Sequence, residues 1–148
     1  MTPKGLQPVD ILLVEDNPAD VLLAKETLEG SVIVSNLHAV SDGMEAMEFL
    51  RRENKHREAP RPGLILLDLN IPLKDGWELL SEIKNDDRLK RIPVVVLAAS
   101  KIEADIQRAY GLHANCYIVK PVDFAKYAAV LRTIEHFWFA VARLPMRV

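Results

Sequence analysis

At 148 residues, with 49% apolar and 27% charged side chains, the chain is sized for one globular domain with a substantial core, and its composition excludes disorder. A formal net charge of −2, with Lys and Arg scattered and no basic block, gives no electrostatic case for a nucleic-acid or anionic-membrane partner. One cysteine, Cys116, excludes an intramolecular disulfide, no apolar run reaches membrane-spanning length, and Met1 to Pro8 lacks the regions of a secretory signal, so a cytoplasmic location is expected.

Two prolines and a glycine in Met1 to Pro8 predict a flexible lead-in over residues 1–9, with the folded unit over 10–148. Ile11-Leu12-Leu13-Val14 then predicts a short buried strand ending in Glu15-Asp16-Asn17-Pro18. Asn17 suits a helix cap, Pro18 the first helical position and Asp20 the positive helix end, with Val21, Ala24 and Leu28 on one face until Gly30. A second strand falls within Val32 to Val40. Ser41-Asp42-Gly43 opens a helix with Ala46, Phe49 and Leu50 on one side, and the charged stretch Arg51 to Gly63 reads as an exposed loop.

Leu64-Ile65-Leu66-Leu67 runs into Asp68 and the turn Leu69-Asn70-Ile71-Pro72, a buried strand delivering one carboxylate to its end. Asp75 caps a helix carrying Trp77, Leu80 and Ile83, and Asn85 to Arg91 returns the chain to a fourth strand, Pro93 to Leu97. After Ala98-Ala99-Ser100, Ser100 and Glu103 have capping-box spacing for a helix with Ile102, Ile106, Ala109 and Tyr110 on one stripe, closed by Gly111. Cys116-Tyr117-Ile118-Val119 is a fifth strand ending at Lys120-Pro121, and Asp123 caps a last helix reaching about Ala142.

Strands alternating with helices predict a doubly wound α/β fold around a five-stranded parallel sheet, with ligands beyond the carboxyl ends of the strands. Glu15, Asp16, Asp68 and Lys120 all fall at those ends. Alone, Asp68 would read as an aspartate capping a turn. Beside two further carboxylates and a lysine it reads as a nucleophile able to carry a phosphoryl group, provided a cation offsets the gathered charge. The oxygen donors ask for Mg2+, and Lys120 supplies a mobile point charge for Asp68 or for a phosphoryl oxygen. His38, His56, His113 and His136 are too dispersed for a metal cluster.

Three stretches in this order and spacing carry a resemblance: Ile11 to Asn17, Leu66 to Pro72 with Asp75-Gly76 behind it, and Tyr117 to Pro121. The sequence resembles the receiver domains of two-component response regulators over residues 10 to about 140. The resemblance implies strand order 2-1-3-4-5 and phosphorylation of Asp68 by a histidine kinase. It also implies Mg2+ held by Glu15, Asp16, Asp68 and the Asn70 carbonyl, Lys120 on the phosphoryl group, and a cis peptide between Lys120 and Pro121. Where receivers usually end the fourth strand with Thr or Ser, this chain has Ala98. Ser100 lies roughly 6.6 Å further along an extended strand and does not replace that hydroxyl, although the N–H of Ala99 remains a phosphoryl donor. Ala98 leaves space for Tyr117, the switch position of the resemblance, to point inward in either phosphorylation state.

The run Phe137-Trp138-Phe139-Ala140-Val141-Ala142 is apolar nearly all round, whereas one face is enough to cover a sheet. Phe137, Trp138 and Phe139 are therefore candidate dimer residues. This ending, with Asn17-Pro18-Ala19-Asp20 and the long loop after the second helix, looks like the single-domain regulators that serve phytochrome histidine kinases. The expectation is a stand-alone receiver with no output module, and not an enzyme. A phosphorylation-independent interaction module is the first alternative, motivated by Ala98. A Mg2+-dependent phosphohydrolase is the second, opposed by Asn70, which cannot serve as a general acid.

Overall fold

The computed structural model describes residues 8–145. Most of the expected lead-in, up to Gln7, and the last three residues of the 10–148 unit lie outside the described residues. Five strands form one parallel sheet: β1 (Val9–Val14), β2 (Ser35–Val40), β3 (Leu64–Asp68), β4 (Val94–Ala98) and β5 (Cys116–Val119), in the order β2-β1-β3-β4-β5. Five α-helices connect and extend them: α1 (Pro18–Glu29), α2 (Gly43–Arg51), α3 (Gly76–Asn85), α4 (Glu103–Gly111) and α5 (Phe124–Glu135).

The central strands are apolar on both faces because both are covered. Leu12, Val14, Ile65, Leu67, Val94 and Val96 face α2, α3 and Ala109 of α4, while Ile11, Leu13, Leu64, Leu66, Val95 and Leu97 face α1 and α5. Alternation along each strand therefore builds two cores from one run of residues. Capping follows the sequence closely: Asn17 Oδ1 accepts from the N–H of Ala19 at 2.9 Å, Asp42 from Glu45 at 2.7 Å, Asp75 from Glu78 at 2.9 Å and Asp123 from Lys126 at 3.1 Å. The exception is α4, whose cap position is Ile102. Ser100 Oγ accepts from the N–H of Ile102 at 3.1 Å and donates to Asp105 at 2.6 Å, so its partner is not Glu103 as the capping-box spacing suggested.

Past Glu135 the helix changes pitch. His136–Val141 forms a π-type turn in which the N–H of Ala142 reaches back to the carbonyl of Phe137 at 2.7 Å. Trp138 and Phe139 pack against the α1/α5 core, which absorbs part of the apolar surplus, whereas Phe137 and Val141 stay exposed.

The turn between β3 and α3 contains Leu73, 76% exposed and held at φ 64°. A left-handed backbone costs a β-carbon residue about 1–2 kcal/mol, and glycine avoids this at the expense of a more mobile unfolded chain. Leu73→Gly is therefore expected to raise stability by about 0.5 kcal/mol, read as a higher urea midpoint at unchanged slope. A lower midpoint would mean that the leucine side chain makes contacts worth more than the strain.

Candidate functional site

Glu15, one residue beyond β1, Asp68, the last residue of β3, and Lys120, one residue beyond β5, meet at the carboxyl edge of the sheet. The Lys120 ammonium bonds the Glu15 carboxylate, lies 2.7 Å from Asp20 Oδ2 and donates to Asp68 Oδ2 at 3.2 Å. The other Asp68 oxygen accepts from the N–H of Asn70 at 2.8 Å, which fixes the carboxylate plane. Asp20 is the member that sequence reasoning missed. It was expected only as a helix-start charge, but the Asn17 cap sets the first turn of α1 so that Asp20 faces the strand ends. An acidic residue in a helix turn directly after a strand-end carboxylate is the signal that was available.

Burial first, and then the neighbouring charge of Asp68, push the Glu15 carboxyl up to about 7 against the opposing pull of Lys120. Burial disfavours the charge on Lys120, yet hydrogen bonds to Asp20 and Glu15 and the charges of Asp68 and Glu15 outweigh it and hold the ammonium above its ordinary range. Lys120 Nζ also sits 5.4 Å from the ring centroid of Tyr127, buried beneath the site.

A cavity of about 410 Å³ opens beside Asp68, and Asn70, Ala98, Ala99, Ser100 and Tyr117 help to line it. The Tyr117 ring is half-buried, and its hydroxyl donates to the Ser100 carbonyl at 2.8 Å. Asp16 is exposed, and with Glu15, Ser41 and Glu45 it lines an adjoining recess of about 350 Å³. One expectation is corrected. The Lys120–Pro121 peptide is trans, since no cis bond occurs among the described residues. Trans is the lower form of an X–Pro bond by about 0.5–1 kcal/mol, and here the N–H of Lys120 bonds the Ala98 carbonyl at 2.7 Å.

Residues 11–132 match the family described as the response regulator receiver domain. The chain belongs to the response regulator receiver family. This receiver is similar to Response regulator Rcp1 of Synechocystis sp., with 46% identity over 145 residues, 98% of this chain and 99% of that protein. Among solved structures it is similar to the phosphorylated cyanobacterial phytochrome response regulator RcpA, with TM-score 0.91 and 50% identity, covering 95% of this chain and 100% of that one. It is also similar to the Mn(2+)-bound form of Rcp1, with TM-score 0.89 and 47% identity, covering 94% and 100% of the two chains.

Among the described residues of the receiver, no three acidic, imidazole or thiol groups form a ready-made metal cage, and the Lys120 ammonium bonds both Glu15 and Asp68. The donor chemistry nevertheless suits a hard divalent ion. The oxygens of Glu15, Asp16, Asp68 and the Asn70 carbonyl are all of the type such ions take, and a buried carboxyl pushed up to about 7 is short of positive charge.

Proposed function

We propose that Asp68 is the phosphoacceptor of a two-component signalling pathway, taking its phosphoryl group from a histidine kinase. Attack of an Asp68 carboxylate oxygen on phosphorus forms an acyl phosphate as the P–N bond of the kinase phosphohistidine breaks, and the imidazole keeps the electron pair. The observation that carries this reading is the Asp68 carboxylate beside an open cavity, oriented by the Asn70 N–H and held 3.2 Å from Lys120 Nζ. Lys120 then transfers its contact from Asp68 to a phosphoryl oxygen, and the N–H of Ala99 donates to another. Glu15, Asp16, Asp68 and the Asn70 carbonyl would hold Mg2+, which when bound supplies the charge neutralisation that phosphoryl transfer needs.

The likeness to the cyanobacterial phytochrome response regulator RcpA supports a phytochrome-type histidine kinase as the partner. A second copy of the chain pairs through the C-terminal turn, where Phe137 and Val141 are exposed. The decisive measurement is intact mass after incubation with Mg2+ and acetyl phosphate. The native chain is expected to gain one phosphoryl group that disappears without Mg2+ and in Asp68→Asn. If the native chain gains nothing, a second reading moves to the front: an interaction module indifferent to phosphorylation. That reading is favoured by the Tyr117 hydroxyl, already bonded to Ser100, and by Ala98, which supplies no hydroxyl to a phosphoryl group.

A further inference from the structure

At the amino ends of β3 and β4, opposite Asp68, the end of α2 and the loop after it face the loop joining α3 to β4 across a cleft of about 880 Å³. Arg51, Arg52 and Arg61 line one side, and Arg88 and Arg91 the other, over the apolar residues Leu50 and Leu89. The sequence contains no basic block because these arginines arrive from two separate loops; the fold assembles one. Among the described residues only Arg51 of the five is ion-paired, with Glu82 at 3.2 Å and Asp86 at 3.7 Å. The others present guanidinium groups without a carboxylate partner among the described residues. At Arg52 the chain leaves the helix with φ 57°, which turns it into the cleft wall.

We propose that this cleft binds an acidic peptide segment of a partner protein. Guanidinium forks pair bidentately with carboxylates and with phosphates, so the rest of the lining has to decide between them. No aromatic side chain lines the cleft among the described residues, which leaves nucleobases nothing to stack on. Glu53, Asp86 and Asp87 share the walls. Asp86 is paired with Arg51 and Asp87 with Lys90, but Glu53, without an ion pair among the described residues, repels a dense polyphosphate, whereas a peptide brings its own N–H donors to meet it. The site lies across the sheet from Asp68, so it neither competes with a phosphoryl group nor rests on the phosphoacceptor reading.

The test is fluorescence anisotropy of a fluorescein-labelled hexaglutamate peptide titrated with the full chain. Saturable binding that weakens with added salt is expected, with a loss of at least about tenfold in Arg88→Glu combined with Arg91→Glu. Arg61→Gln, on the opposite wall, should also weaken binding, and thermal melts establish that each variant is folded. Asp68→Asn and the α5 surface change Lys126→Glu should bind as the native chain does. Absence of saturable binding, or an equal loss in Lys126→Glu, would overturn the proposal. So would tighter binding of tripolyphosphate or oligothymidylate, which would make the cleft a phosphate site.

Discussion

Replacing Lys120 with methionine is expected to lower stability by about 3 kcal/mol at about pH 8 in the presence of chelator, with most of the deficit disappearing as the pH falls toward 5. The ammonium is the shared partner of Glu15, Asp20 and Asp68, whose side chains are only 2%, 14% and 13% exposed. Methionine keeps much of the volume and leaves three carboxylates facing one another. The sign follows from Glu15, whose folded pKa is about 7 against an ordinary 4.5. A carboxyl raised in the fold contributes stability that is complete below about 4.5 and is lost as pH rises through about 7. Without Lys120 the ionised form is costlier still, so the deficit belongs to the neutral and alkaline side. Lys120 itself, held above its ordinary range, is fully charged across this window. Urea denaturation of both proteins at several pH values measures the difference, and added Mg2+ should recover part of it. Equal deficits at about pH 5 and about pH 8 would assign the loss to packing.

Gly76→Ala should be comparably damaging, by about 3 kcal/mol, and, on the proposed function, should slow phosphorylation of Asp68 as well. A β-carbon at Gly76 would lie 2.4 Å from Leu69 Cα and 2.8 Å from the Leu69 carbonyl oxygen, and both are backbone atoms. The Gly76 N–H also donates to that carbonyl at 3.1 Å, so helix and loop cannot separate without losing the bond. Leu69 is the residue after Asp68, which makes any displacement of this loop a displacement of the proposed nucleophile. Gly111→Ala is the internal control: nothing lies within 4 Å of its β-carbon, and alanine favours the helix end. A Gly76→Ala protein with native stability and a native phosphorylation rate would show that the loop yields more readily than its contacts imply.

Much of this was legible in the sequence because the signals were local. Apolar runs of strand length, Asx caps at Asn17, Asp42, Asp75 and Asp123, and polar residues at strand ends each depend on near neighbours. Those rules place Glu15, Asp68 and Lys120 at one edge without any knowledge of the tertiary contacts. What stayed hidden depends on direction. Asp16 and Asp20 are both acidic and close to the end of β1, yet only the rotation set by α1 decides that Asp20 meets Lys120 while Asp16 faces the β2 side. The isomer of Lys120–Pro121 is separated by too small an energy to be read from composition. The arginine cleft was invisible for the opposite reason, since its charges are diluted along the chain and concentrated only by folding.

The wide turn over His136–Val141 has a consequence for how this end of the chain tolerates length changes. Each α-helical residue advances the chain by about 100° around the axis, and a π-type turn takes in one residue more than an α-turn without adding a full step of rise. Deleting a single residue here would therefore act less as a shortening than as a rotation. Made ahead of Trp138, it would swing Trp138 and Phe139 off the α1/α5 core and bring other side chains onto it, so a one-residue difference in this segment would give a chain of nearly the same size a different outer face.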